Sequence, residues 1–205
     1  MNNQAPSQKR SRVTLILLLM VFVIPILVAY IFHKNKSWLP QNTRNHGTIV
    51  SPVVALPEVS LKSTDGNEFL LKDFRGKWSY VFMAGEKCDE ICQLTLVKTR
   101  NARIAQGGEA QRVNYYIIFK DHAASWANTE EFSKHHPKIR LLSADQKNLD
   151  IIQKAFGAGA VDTKTGGRVY LLDPAANYMM FYEADFDSLG IMEDLKHLLK
   201  ASQIG

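Results

Sequence analysis

The sequence has only two cysteines, Cys88 and Cys92, in 205 residues. No second Cys/His pair stands at finger spacing, which argues against a zinc finger. Carboxylates are missing altogether from residues 1–32, where Lys9, Arg10 and Arg12 supply the charge. Those three belong to the tail, so 22 of the 25 basic side chains remain against 20 acidic ones. That balance gives no electrostatic reason for a nucleic-acid partner. Internal repeats and low-complexity blocks are also absent, so a solenoid is excluded.

What is there begins with a long apolar run. "VTLILLLMVFVIPILVAYIF", residues 13–32, carries no charge over twenty residues. At about 1.5 Å rise per residue a helix of that length spans the roughly 30 Å hydrocarbon core of a bilayer. Pro25 inside it is tolerated in membrane helices. "LVAYIFHKNK" offers no small-x-small cleavage site, so the run reads as an uncleaved anchor rather than a signal peptide. Basic residues clustered before the span favour a cytoplasmic N-terminus. Residues 1–12 are then a cytoplasmic tail and the remainder of the chain lies across a bacterial inner membrane, in the periplasm. Residues 33–54 mix Pro, Asn, Gly and Lys with little periodicity and read as a stalk, leaving 55–205 as the folded domain.

Inside that domain Val59 and Leu61 alternate with polar neighbours, "DGN" marks a turn, and Phe69 and Leu71 resume the strand pattern. "WSYVFMA" and "RVNYYIIFK" are apolar enough for strands buried on both faces. "DEICQLTLVKTRNARIAQ" has helical spacing and stops at Gly107-Gly108. "SWANTEEFSKHH" predicts a helix capped by Ser125, "IRLLSAD" a short strand or connector, and "QKNLDIIQKAFGAG" a helix closed by Gly157. Two strands around "DPAAN" and a closing helix, "SLGIMEDLKHLLKAS", complete an α/β domain with a sheet covered on both faces.

Cys88 and Cys92 fall where a buried strand turns into a helix. Helix N-terminal N–H groups and the macrodipole favour the thiolate there. An i, i+4 spacing brings both sulfurs to one face, where they can close a disulfide, act as a redox dithiol or hold a soft metal ion.

The run "DGNEFLLKDFRGKWSYVFMAGEKCDEIC", with "YYIIF" and "VYLLDPAANYMMFY" behind it, resembles the Sco/SenC family over roughly residues 55–200. That resemblance implies a thioredoxin-like fold behind a membrane anchor, a part in cytochrome c oxidase assembly, and Cys88 and Cys92 as copper-binding, redox-active thiols. The implied partners are the inner membrane and an oxidase subunit or another assembly factor. Copper would be carried as Cu(I), or the pair would reduce the copper-site cysteines of a partner. The family's proline after each cysteine is replaced here by Asp89 and Gln93. The family's histidine ligand ahead of "YLxDP" has no counterpart, since "VDTKTGGRVYLLDP" has neither histidine nor proline between Asp162 and Tyr170. His122, after the strand "YYIIFKD", stands at the right sheet end to substitute; it also reads as a solvated loop histidine. The two methionines of "YMMFY" read as core. A general thiol–disulfide oxidoreductase and a non-catalytic binding domain are the competing functions.

Overall fold

The computed structural model describes residues 8–35, 45–120, 125–157, 167–202 and 204. The chain divides into two compact units, residues 1–44 and 45–205. In the first, α1 (Gln8–Lys34) runs through the apolar stretch with Pro25 inside it. The segment Arg12–Lys34 is long and apolar enough to cross a membrane.

The second unit is built on an eight-stranded mixed sheet in the order β1-β8-β7-β4-β5-β6-β2-β3. The strands are β1 (Thr48–Ala55), β2 (Ser60–Ser63), β3 (Glu68–Leu70), β4 (Trp78–Met83), β5 (Val113–Lys120), β6 (Ile139–Ala144), β7 (Val169–Leu172) and β8 (Asn177–Tyr182). Among the described residues four α-helices accompany them: α2 (Glu90–Ile104), α3 (Glu130–His135), α4 (Gln146–Ala155) and α5 (Ser188–Ala201). β4, β5 and β6 run parallel at the centre, and the other neighbours pair antiparallel.

Alternation along β4 divides the core in two. Tyr80 and Phe82 face Leu96 of α2 with Ile191 and Leu195 of α5. Val81 and Met83 face Leu149 and Ile152 of α4. All six residues of β4 are buried, as its unbroken apolar run requires. Fully burying one such side chain contributes about 1.5–3 kcal/mol, so this strand and β5 are where the fold is anchored.

Two elements differ from the sequence reading. Thr48–Ala55, all but its last residue in the stretch read as stalk, is an edge strand on β8. Its register shifts between Ile49 and Val54, around Pro52, which is what an edge position accommodates. Of the two readings of "IRLLSAD", the strand is the one found: β6, parallel to β5. Ser125 does not cap a helix: Ser125–Ala127 is a short 3₁₀ turn and α3 starts at Glu130. Thr129 is the cap there, its hydroxyl accepting from the Phe132 N–H, with Glu130 and Glu131 favourably placed in the first turn.

What fastens β1 is a buried carboxylate. Asp194 of α5 accepts the main-chain N–H of His46 and of Gly47 (2.8 Å) and the Tyr182 hydroxyl (3.1 Å). Gly47 is required by that approach, because a Cβ would come within 2.7 Å of Met180 Sδ. Gly190 permits the matching approach of His46, whose ring would stand 2.6 Å from an added Cβ.

Candidate functional site

β4 delivers the chain at Met83 to a six-residue connection, and α2 begins at Glu90. The connection is tied at both ends. Ala84 N–H donates to the Ile118 carbonyl of β5, and the Trp126 indole N–H donates to the Gly85 carbonyl at 3.3 Å. Asp89 is the helix cap: its carboxylate accepts the Cys92 N–H at 2.8 Å. Asp89 is a negative charge next to Cys88, and such a charge opposes thiolate formation. In the fold its carboxylate is directed to the helix amide, a role that the Asp three residues before Cys92 signals.

Cys88 and Cys92 form a disulfide across this turn, with Cα atoms 5.1 Å apart. Their surroundings differ. Cys92 is 2 % exposed within the core formed with α2 and α5, whereas Cys88 is half-buried at its edge. A partner sulfur therefore meets Cys88 first.

Cys88 opens on a groove of about 470 Å³ between α2 and the segment Trp126–His136. Leu96 and Val97 supply one wall and Trp126 and Phe132 the other, with Arg100, His135 and His136 at the far end. The aromatic wall is ordered by its own contacts. Trp126 packs edge-on against Phe132 with centroids 5.5 Å apart, and Phe132 stacks on the His136 ring at 4.7 Å. The Arg100 guanidinium holds this wall to α2 by donating to the His135 carbonyl at 2.7 Å. Burial, with the Arg100 and His135 charges adding to it, lowers the His136 pKa below the ordinary histidine value.

The structure thus brings together the two predicted cysteines. His122 and the loop Asp162–Gly166 lie outside the described residues. His135 lines the groove at the exposed end of α3, and His197 is exposed on α5. Met180 is 1 % exposed, so it belongs to the core. Among the described residues, no group of three or more His, Cys, Asp or Glu side chains is arranged to hold a metal ion. The groove was not read from sequence; Trp126 and Phe132 stand more than thirty residues from the cysteines in the chain and meet the Cys88 turn and Arg100 of α2 only through the β4–β5 pairing.

A disulfide at a strand-to-helix turn, half of it presented to solvent, on a mixed sheet with helices on both faces, defines a thioredoxin-like domain. The chain belongs to the family described as "Transmembrane-like, thioredoxin-like, C-terminal domain", whose profile matches residues 78–202. Its fold is Sco-like. The Arabidopsis thaliana mitochondrial Protein SCO1 homolog 1 is 24 % identical over 157 residues, covering 69 % of this chain and 47 % of that protein. The present chain thus spans less than half the length of that relative. The structure of yeast Sco1 with copper bound superposes with a TM-score of 0.61 at 20 % identity, over 73 % of this chain and 94 % of that one. BsSco, described as a Sco-family cytochrome c oxidase assembly protein with a disulfide switch, gives 0.56 at 14 % identity, over 74 % and 96 %. At these identities the structural likeness speaks for the fold.

Proposed function

We propose that this chain is a membrane-anchored Sco-like accessory factor in cytochrome c oxidase assembly. The N-terminus lies in the cytoplasm, α1 crosses the inner membrane, and the thioredoxin-like domain works in the periplasm. The Cys88–Cys92 pair cycles between disulfide and dithiol and exchanges with cysteines of an oxidase subunit or of another assembly factor. The observation that supports this reading is the asymmetry of the pair: Cys92 is buried and Cys88 is open to a groove. That is the arrangement of an attacking sulfur and a resolving one. Yeast Sco1 carries copper and BsSco acts in oxidase assembly, and the shared fold supports a related role here.

Copper, in this reading, is cargo. The reduced pair offers two thiolates on one face of the α2 N-terminus, a donor set suited to soft Cu(I) and not to Cu(II). Cys88 and Cys92 are the residues that hold it.

Replacing Cys88 by Ser in cells that depend on this protein tests the proposal. The expected result is loss of active, copper-loaded oxidase from membranes in which the protein itself is still present. Unchanged oxidase would leave a non-catalytic binding domain as the function.

A further inference from the structure

The groove beside Cys88 has a polarity that fits one kind of partner segment. It is apolar next to the sulfur, at Leu96, Val97, Trp126 and Phe132, and cationic at its far end, at Arg100. The Arg100 guanidinium lines this end and donates to the His135 carbonyl and to Asn101 Oδ1, neutral acceptors that leave its charge uncompensated, so an anionic group complements this end. Among the described residues Glu131 is the one carboxylate in the lining, and it is exposed.

Length fixes the spacing. Cys88 and Arg100 are twelve residues apart, about 18 Å along a helix axis. Helical side chains lean toward the N-terminus, so the long Arg100 side chain shortens that gap. An extended peptide advances about 3.3 Å per residue, so roughly four residues reach from one end to the other.

We propose that the groove recognises an extended, cysteine-containing segment of a partner protein. The segment places an aliphatic residue beside its cysteine and an Asp or Glu about four residues away, its carboxylate meeting Arg100. This rests on the exchange reading above and gives it a substrate specificity. In the reduced protein the Cys88 thiolate attacks one sulfur of a disulfide made by the segment's cysteine. That S–S bond breaks, its other sulfur leaves as a thiolate, and a Cys88–partner disulfide forms. Cys92 thiolate then attacks Cys88 Sγ, releasing the partner thiolate and closing Cys88–Cys92. Two electrons pass from the dithiol to the partner disulfide.

The test uses the reduced full-length Cys92→Ser protein in detergent micelles, which stops at the mixed disulfide. Probes are the peptides Cys-Leu-Ala-Ala-Glu and Glu-Ala-Ala-Leu-Cys, each with a Gln counterpart, activated as thionitrobenzoate disulfides. Release of thionitrobenzoate gives the rate. In at least one orientation the Glu peptide should react ~2- to 5-fold faster than its Gln twin, the range of a partly solvated ion pair. Arg100→Gln should bring that ratio to about one, and Glu131→Gln should raise it. Both ratios are internal to one variant, so a change in its stability does not imitate them. Equal rates for Glu and Gln peptides in both orientations would overturn the inference, as would a preference that survives Arg100→Gln. Failure to react even with the thionitrobenzoate disulfide of free cysteine would overturn the exchange reading itself, and this inference with it.

Discussion

The amide of Cys92 donates to the carboxylate of Asp89, 2.8 Å away, so the residue between the cysteines that looks most hostile to a thiolate is the one that starts the helix. With its oxygen committed to the first turn, Asp89 holds Cys92 in the third position of α2 and Cys88 just outside it. Removal of a side-chain cap costs about 1 kcal/mol. Asp89→Ala should therefore lower the unfolding free energy by about that amount, while Asp89→Asn, which still accepts, should lower it much less. Denaturant unfolding of the reduced and oxidised forms reads both numbers. Equal losses for Ala and Asn would mean the cap contributes nothing.

Accessibility should set the order of reaction. Cys88 is half-buried and Cys92 is 2 % exposed. After reduction, Cys88 should alkylate several-fold faster than Cys92. Iodoacetamide labelling followed by mass-spectrometric peptide mapping decides it. Faster labelling of Cys92 would reverse the attacking and resolving roles.

Asp194 accepts from three groups: the Tyr182 hydroxyl on β8 and the main-chain N–H of His46 and Gly47, just ahead of β1. Asp194→Ala leaves those donors without their acceptor, a loss of about 1–3 kcal/mol for each donor left buried. Because two of them fasten His46 and Gly47, protease sensitivity should rise between residues 45 and 55 before the rest of the domain yields. Uniform resistance along the chain would show that β1 is held by its pairing with β8 alone.

His136 gives a stability term with a definite sign. Its pKa is lowered by burial, then by the Arg100 and His135 charges, so the folded state binds that proton less readily than the unfolded chain. Stability from this residue is present above the ordinary histidine value of about 6.5 and is lost as pH falls toward the folded pKa. His136→Phe, which keeps an aromatic ring against Phe132, should flatten the decline in melting temperature between about pH 6.5 and 5. An unchanged slope would assign the decline to other groups.

The elements that the sequence announces are those whose signal is local. β4 and β5 are unbroken apolar runs, the "DGN" and "DPAAN" turns are formed with Gly66 and Ala176 at positive φ, and Gly157 ends α4. The cysteine pair was legible for the same reason: two sulfurs at i, i+4 on one turn need no distant partner. β1 was not, because its place depends on Asp194, 147 residues from Gly47. The groove was not, because Trp126, Phe132 and Arg100 each look like ordinary helix or loop residues until the parallel β4–β5 pairing sets Trp126 against Gly85. Residue identity pointed to the chemistry, and chain topology supplied what surrounds it.

In the proposed function Cys88–Cys92 is an exchanging pair and not a structural staple. Equilibrating the full-length protein in detergent with graded redox buffers, then quenching by acid and counting alkylated thiols, measures its potential. An exchanging pair should open reversibly within the range of exchanging dithiols, roughly −270 to −120 mV. A pair that stays oxidised in buffers more reducing than about −300 mV behaves as a structural disulfide, and that result would contradict it.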